Sequence, residues 1–324
     1  MRAVLCTHFG GADALEVGEA PEPVPAADEV LIDVRAAAVS FMDKLMAEGG
    51  YQMRPDLPYV PGTDASGVVL QVGSAVTGFK PGDRVVGQMW HGSYAERAVT
   101  KHWKCAKVPD GIDFTIASTV LHNYMTAYHA LVQRCALQPT ETLLVTGATG
   151  GVGLAAVDMG RMLGARVLAG TGDMAKEHAL KDMGAEAVIN MRQGDLRGQV
   201  KDLTDGKGLD VCFEMIGGDT FQTLARSMRW GGRITPIGFV SGDIPNLPMN
   251  LPLLKGFSVV GVFEGAWAEK CPLEAKDAAD KIMHWIAEGE LHPLIDRVLN
   301  LDDACEAFRS LTKRDVIGRI VLKV

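Results

Sequence analysis

The chain has 324 residues, enough for about two domains when a domain takes roughly 150 residues. Apolar residues make up 47% and charged residues 22%, a composition that supports packed cores and is unlike that of a disordered chain. The 32 basic and 40 acidic residues give a net charge of −8. This balance argues against a protein that binds nucleic acid or an anionic membrane surface, because both need a positively charged face.

The predicted elements begin at the first residues, MRAVLCTHFGG, which are typical of an initial strand rather than a signal peptide. No run of 18 apolar residues occurs, so no membrane span is predicted. The six cysteines are scattered without a CxxC pair, as in proteins of reducing compartments. We therefore expect a soluble cytoplasmic protein.

Short apolar stretches separated by proline and glycine turns occupy the first 110 residues. They predict strands at 30–39, 65–73, 82–87 and 93–99. Regularly spaced short strands of this kind are typical of a barrel or a sandwich. An irregular α+β region is the alternative interpretation.

The period of the apolar residues changes after about residue 115, where strand patterns begin to alternate with helix patterns. The predicted helices lie at 153–164 and 175–185, and the predicted strands at 143–148, 165–171, 187–190, 209–217 and 231–239. Such alternation predicts parallel βαβ units in a doubly wound sheet, so the fold class is α/β. Two further helices, at 278–289 and 302–311, and a strand at 318–324 complete the chain.

The strongest local signal is LLVTGATGGVGLAAV, residues 143–157. An apolar strand leads into a glycine-rich turn, and a helix follows at once. Glycines at such a junction permit a tight turn and let backbone N–H groups approach a pyrophosphate at the start of the helix. The spacing is a variant of GxGxxG, and the flanking strand and helix make the motif more specific. We therefore expect a dinucleotide site here, against the alternative of a purely structural turn.

The end of the next predicted strand bears on which dinucleotide is bound. NAD sites usually place an acidic residue about 20 residues after the glycines, where it binds the ribose hydroxyls. Here the strand ends at Gly170 and Thr171, which leave room for a 2′-phosphate, and Lys176 follows to neutralise its charge. Asp173 is the counter-evidence, since its carboxylate would suit a ribose diol. The sequence favours NADPH over NADH.

The whole chain resembles a medium-chain dehydrogenase/reductase of the zinc-independent quinone oxidoreductase branch. An ordered set of segments carries the resemblance: residues 51–69, 78–87, 125–157, 244–268 and 316–322. The resemblance implies a GroES-like, β-rich catalytic domain over 1–122, a Rossmann-type nucleotide-binding domain over 123–263, and a C-terminal return to the catalytic domain over 264–324.

Zinc-dependent members of this superfamily hold a catalytic metal with a cysteine and a His-Glu pair. The corresponding positions here are Ser40 and the Thr63-Asp64 pair, and the four-cysteine lobe for structural zinc is missing. A hydroxyl, a threonine and one carboxylate are not a usual zinc ligand set. We therefore expect no metal. Hydride transfer then requires a substrate that accepts charge by conjugation, such as a quinone or an α,β-unsaturated carbonyl.

The resemblance also implies functional side chains. Ser40, Tyr51 and Tyr124 are the expected catalytic residues, and Asp43 matches an acid of the family that either acts in the site or only orients a turn. The full expected set of cofactor contacts, from the glycine turn, the following strand and the resemblance together, is Ser40, Thr126, Gly147, Gly150, Gly151, Val152, Gly153, Gly170, Thr171, Lys176, Arg192, Gly217, Gly238, Phe239 and Phe263.

Three functions stay open at this point. The first is an NADPH-dependent reductase of quinones or conjugated carbonyls. The second is a reductase of enoyl-coenzyme A thioesters, and the third is an NADPH-binding structural or regulatory protein without catalysis. The apolar run at 257–263 would be an association hazard as a bare edge strand, and relatives pair this edge across a two-fold axis. We therefore expect a homodimer.

Overall fold

The computed structural model describes residues 1–313 and 315–324. The chain divides into two compact units, Met1–His122 together with Trp267–Val324, and Asn123–Ala266. The second break thus lies three residues beyond the expected end of the nucleotide-binding domain at 263. Among the described residues, no helix is long and apolar enough to cross a membrane.

The first unit is built mainly of β-strands. Its elements up to residue 122 are β1 Arg2–Cys6, β2 Leu15–Glu19, β3 Glu29–Val39, α1 Phe41–Ala47, β4 Asp64–Val72, β5 Arg84–Gln88, β6 Arg97–Lys101, β7 Cys105–Lys107 and α2 Phe114–Ser118. Residues alternate between buried and more exposed positions along the first half of β3, as expected for a strand that covers a core with one face. The β-rich interpretation is therefore confirmed.

The strand expected at 93–99 is displaced, since β6 begins only at Arg97. The backbone of Tyr94 binds elsewhere: its N–H donates to the carbonyl of Pro61 at 3.0 Å and its carbonyl accepts from Val4 N at 2.9 Å. These long-range bonds remove the start of the segment from the ladder between β3 and β6. Propensity alone does not predict such a competition.

The second unit alternates strands and helices. After a π-helical segment at Leu121–Met125, its elements are α3 Thr126–Tyr128, a second π-helical segment at His129–Arg134, β8 Thr142–Val145, α4 Gly151–Met162, β9 Arg166–Thr171, α5 Glu177–Asp182, β10 Ala187–Asn190, α6 Leu196–Leu203, β11 Leu209–Glu214, α7 Gly218–Ala225, β12 Met228–Pro236, α8 Asn250–Lys255 and β13 Ser258–Val259. The strands form a parallel sheet in the order β10-β9-β8-β11-β12-β13.

This order places the topological switch between β8 and β11, on whose carboxyl edge dinucleotides bind in open α/β sheets. Every residue of β8 and β11 is buried, as is usual for central parallel strands covered on both faces. The predicted doubly wound sheet is confirmed. The apolar run at 257–263 contributes only the two-residue edge strand β13.

The chain then returns to the first unit through α9 Glu264–Lys270, α10 Pro272–Ala287, β14 Ile295–Asn300, α11 Ala304–Lys313 and β15 Arg319–Lys323. β15 pairs antiparallel with β3, and β14 pairs parallel with β15. The sheet of this unit runs β14-β15-β3-β4-β5-β7, with β6 also paired to β3. The last strand therefore lies two strands from β4, which carries Asp64.

Candidate functional site

The glycine-rich turn after β8 has the backbone geometry of a phosphate cradle. Gly147 has a φ of +59°, which favours glycine. A methyl group on Gly153 would lie 2.3 Å from the carbonyl oxygen of Gly147, so the first turn of α4 approaches the loop as only glycine permits. Gly150 caps α4, and no side chain among those described supplies a capping bond. The first N–H groups of α4, at Gly151, Val152 and Gly153, have no acceptor within the helix and are available to an anion.

The ends of β9 and β10 form a second part of this surface. Thr171 Oγ1 accepts a hydrogen bond from Asp173 N at 3.1 Å, and Asp173 Oδ1 accepts one from Ala175 N at 3.1 Å. The carboxylate of Asp173 therefore caps the turn that leads to Lys176, which is 8% exposed. Arg192 crosses the same turn, since a methyl group on Gly172 would lie 3.1 Å from its Nε. Lys176 and Arg192, the two expected cationic side chains, thus both follow the carboxyl ends of β9 and β10.

Gly217 and the pair Gly238–Phe239 lie on the other side of the glycine turn, after β11 and β12. Gly217 has a φ of +82°, and a methyl group there would lie 3.1 Å from the Phe239 ring. The amide of Val240 donates to the carbonyl of Met215 at 3.0 Å, which ties the two loops together. Phe239 and Phe263 are 40% and 51% exposed. These apolar side chains are accessible in this unit.

A buried glutamate that sequence reasoning did not identify lies beneath these loops. Glu214, the last residue of β11, is fully buried and accepts hydrogen bonds from Ile216 N at 2.8 Å and Gly217 N at 3.0 Å. Burial raises the pKa of its carboxyl, while the two amides and Thr146 act in the opposite direction. The signal in the sequence is weak: an acidic residue at the end of a strand whose other residues, apart from Asp210, are apolar.

Tyr124 has a partner other than a substrate. Its hydroxyl donates to Asp158 Oδ2 at 2.9 Å, and the side chain is 3% exposed. Burial, reinforced by the charge of Asp158, raises the pKa of the Tyr124 hydroxyl well above its usual value. Arg161 Nη2 donates to the other oxygen of Asp158 at 2.8 Å. This hydrogen bond ties the Leu121–Met125 segment to α4, and the catalytic role expected for Tyr124 stays a prediction. Thr126 lies two residues further, at the start of α3.

Ser40 in the first unit acts as the cap of α1. Its Oγ accepts from Asp43 N at 3.0 Å, and its N–H donates to Asp43 Oδ2 at 2.7 Å, which completes a capping box. Tyr94 donates its hydroxyl to the same carboxylate oxygen at 2.7 Å. Burial raises the pKa of the Asp43 carboxyl, against the effect of the Tyr94 bond. The structure therefore gives Asp43 the orienting role, and Ser40 is only 1% exposed.

The positions that correspond to zinc ligands hold a different set of interactions. Thr63 Oγ1 lies 3.5 Å from Ser40 Oγ. Asp64 Oδ2 lies 3.2 Å from Arg319 Nη2, and its Oδ1 accepts from His122 N at 3.2 Å. Within the described part of the chain, no group of three or more His, Cys, Asp or Glu side chains could hold a metal ion. Two hydroxyls and a carboxylate already paired with a guanidinium do not fit zinc.

Tyr51 lies in the loop after α1, half-buried against the core of the first unit. Leu45, on α1 itself, lines the start of that loop, because a methyl group on Gly50 would approach it at 3.8 Å. The catalytic role expected for Tyr51 stays a prediction.

Comparison with known proteins gives a consistent result. Residues 26–110 match the family model "Alcohol dehydrogenase GroES-like domain", and residues 151–281 match "Zinc-binding dehydrogenase". The chain is 37% identical to quinone oxidoreductase-like protein 2 homolog of Nematostella vectensis, over 99% of this chain and 88% of that protein. It is 31% identical to human quinone oxidoreductase, over 96% of this chain and 94% of the other.

Among solved structures, quinone oxidoreductase of Escherichia coli complexed with NADPH aligns over 100% of both chains, with a TM-score of 0.93 and 28% identity. The GroES-like and Rossmann-like units described above match that architecture. The chain therefore belongs to the quinone oxidoreductase branch of the medium-chain dehydrogenase/reductase superfamily.

Proposed function

We propose that the protein is an NADPH-dependent oxidoreductase that reduces quinones or other α,β-unsaturated carbonyl compounds without a metal ion. The observation that carries the proposal is the ion pair between Asp64 and Arg319, which uses the carboxylate at a position where zinc-dependent relatives bind metal. The glycine cradle before α4 supports the cofactor assignment, as do the relatives named above.

The choice of acceptor follows from the side chains at the zinc-ligand positions, which do not fit a Lewis-acid metal ion. An isolated carbonyl accepts hydride poorly unless its oxygen is polarised. In a quinone or a conjugated carbonyl, the electron pair that arrives with the hydride at carbon is delocalised onto an oxygen. The protein then has to position the two reactants, donate a hydrogen bond to that oxygen and let a proton reach the product.

Different residues of this chain perform these tasks. NADPH, when bound, would supply the hydride. The amides at the start of α4 would hold its pyrophosphate, and Lys176 and Arg192 would neutralise the 2′-phosphate. The hydroxyl of Tyr51 donates to the substrate oxygen. We assign Tyr124 to the stabilisation of the Leu121–Met125 segment through Asp158 rather than to the proton transfer.

NADPH oxidation with three acceptors tests the proposal: a simple benzoquinone, an aliphatic enone and an enoyl-coenzyme A thioester. We expect turnover with the quinone or the enone and little with the thioester, unchanged by a chelator, and far less than one zinc per purified chain. Preference for the thioester would support an enoyl-thioester reductase. NADPH binding without turnover of any acceptor would indicate a cofactor-binding protein without catalysis.

We further propose a cytoplasmic homodimer that assembles through residues 257–263. β13 is the edge of the parallel sheet, and Val259 and Phe263 are 44% and 51% exposed. The preceding helix α8 adds Leu253 and Leu254, which are 78% and 71% exposed. Exposed apolar side chains along a strand edge favour pairing with an identical edge. The six cysteines are free thiols, which supports a reducing compartment.

A further inference from the structure

Glu214 is a buried acid that none of the steps above uses. Its side chain is fully buried at the carboxyl end of β11, next to the topological switch of the sheet. A buried carboxylate is costly unless hydrogen-bond donors compensate for the lost water. The donors therefore indicate what the residue does.

Three donors converge on this carboxylate. Ile216 N donates to Oε1 at 2.8 Å, Gly217 N donates to Oε2 at 3.0 Å, and Thr146 Oγ1 lies 3.3 Å from Oε1. Thr146 Oγ1 in turn accepts from Met215 N at 2.8 Å. The side chain of Glu214 thus folds over its own turn and fixes consecutive amides of it.

The same contacts join the loops on the carboxyl edge. Thr146 immediately precedes Gly147, and the Met215 side chain packs where a methyl group on Gly147 would lie 3.7 Å from its sulfur. On the other side of the turn, Ser241 N donates to the carbonyl of Ile216 at 2.9 Å. Glu214 is therefore the centre of a frame that links the glycine-rich turn to the loop after β12.

The position of this frame in the sheet assigns it to one half of the cofactor. In an open α/β sheet the pyrophosphate lies at the glycine turn, and the adenosine follows the strand on one side. Here that strand is β9, so β11 and β12, on the opposite side of β8, face the nicotinamide half. Gly217, which has a φ of +82° and donates its amide to Glu214, lies on this second side.

We propose that Glu214 is a positioning residue that holds the Met215–Gly218 turn in the shape that accepts the nicotinamide half of the dinucleotide, an inference that rests on the proposed NADPH dependence. Both carboxylate oxygens are needed, because each accepts a different amide. A glutamine would turn its NH₂ group toward one of the two amides and leave that donor without an acceptor.

The test compares the whole cofactor with its adenosine half by calorimetric titration. Glu214→Gln should raise the dissociation constant of NADPH at least about tenfold, as expected for the loss of a charged hydrogen-bond acceptor. It should change the dissociation constant of 2′,5′-ADP by no more than about twofold. The Michaelis constant for NADPH should rise accordingly. Equal weakening of both ligands, or no change in either, would overturn the proposal.

Three further variants complete the test. Thr146→Val removes the bridging hydroxyl and should weaken the binding of NADPH but not that of 2′,5′-ADP. Thr146→Ser, which keeps the hydroxyl, should bind NADPH as the wild type does. If Glu214→Gln does not fold, an unselective effect of Thr146→Val, or none, would contradict the proposal. Asp210→Asn is the matched control, because Asp210 is a buried acid on the same strand that accepts from Thr142 N at 2.9 Å. Asp210→Asn should lower the stability of the protein and leave the dissociation constants of NADPH and 2′,5′-ADP unchanged. A wild-type protein that binds neither ligand would refute the proposed cofactor itself.

Discussion

Arg319 Nη2 lies 3.2 Å from Asp64 Oδ2, and the two side chains are 5% and 0% exposed. Their Cα atoms are separated by 255 residues of chain, because Arg319 belongs to the returning strand β15 and Asp64 begins β4. The pair therefore joins the C-terminal return of the chain to the N-terminal part of the same unit. It also satisfies a carboxylate that lies where zinc-dependent relatives bind metal.

Removal of one partner of this pair should destabilise the first unit strongly. Arg319→Gln leaves the buried Asp64 carboxylate without its cation, and such changes cost about 3–5 kcal/mol. Urea unfolding followed by circular dichroism measures the loss. The matched control is Arg309→Gln, whose partner Asp13 is 81% exposed, and it should leave the unfolding midpoint unchanged. A small effect of Arg319→Gln would show that Asp64 is satisfied in another way.

The pairing of Asp64 with Arg319 could not be predicted from the sequence, whereas much of the fold could. The βαβ alternation and the glycine turn depend on local periodicity, and both are confirmed in the structure. The partners of Asp64 depend on which distant strand returns beside β3, and no local pattern encodes this. The partner of Tyr124 is likewise not encoded locally, since Asp158, which accepts the hydrogen bond from its hydroxyl, lies 34 residues away on α4.

Protonation of His122 in the unfolded chain should reduce the stability of the folded protein in mildly acidic solution. Burial, with a smaller effect from the charge of Arg319, lowers the pKa of His122 to about 3. The unfolded chain has the ordinary value of about 6.5, so it takes up a proton while the folded protein stays neutral. The stability contribution is complete above pH 6.5 and is lost as the pH falls toward 3.

This linkage amounts to at most about 2 kcal/mol between pH 7 and pH 5, and less if water reaches the half-buried ring. The measurement is the free energy of unfolding of the wild type and of His122→Gln across this range. The variant should show the flatter pH dependence. Parallel curves would mean that His122 is protonated equally in both states.

Lys176 and Arg192 should distinguish NADPH from NADH. Lys176→Ala should weaken the binding of NADPH by about 1–3 kcal/mol, the contribution of a charge-assisted hydrogen bond. The binding of NADH should be nearly unchanged. Arg192→Ala should act in the same direction. Lys181→Ala is a suitable control, because its ammonium group pairs with Glu177 on the exposed face of α5. Equal losses for both cofactors would show that neither cation contacts the 2′-phosphate.

Assembly should depend on the edge at β13. Val259→Lys places a charge at the centre of the proposed strand pairing, where two copies would bring like charges together across the two-fold axis. Sedimentation velocity at micromolar concentration should show a dimer for the wild type and a monomer for the variant. Val298→Lys, at a 42% exposed position of β14 in the first unit, should leave the dimer intact. A monomeric wild type would contradict the proposal.

Tyr51→Phe should affect enones and quinones differently. Hydride transfer to a conjugated carbon leaves an anion on oxygen, and its basicity determines how much a nearby hydroxyl contributes. A hydroquinone anion is comparatively stable, and water can protonate it. The enolate from an isolated enone is much more basic, so a hydrogen bond from a tyrosine lowers its barrier more, although a hydroxyl with a pKa near 10 is a weak acid.

We therefore expect Tyr51→Phe to lower kcat/KM for enones about tenfold or more, which corresponds to about 1.4 kcal/mol, and to lower it much less for quinones. Tyr59→Phe is the matched control, since Tyr59 is 5% exposed within the core of the same unit. Equal losses with both substrate classes would make Tyr51 a binding or packing residue. Because the Tyr124 hydroxyl already donates to Asp158, a variant without any effect would leave solvent as the proton source.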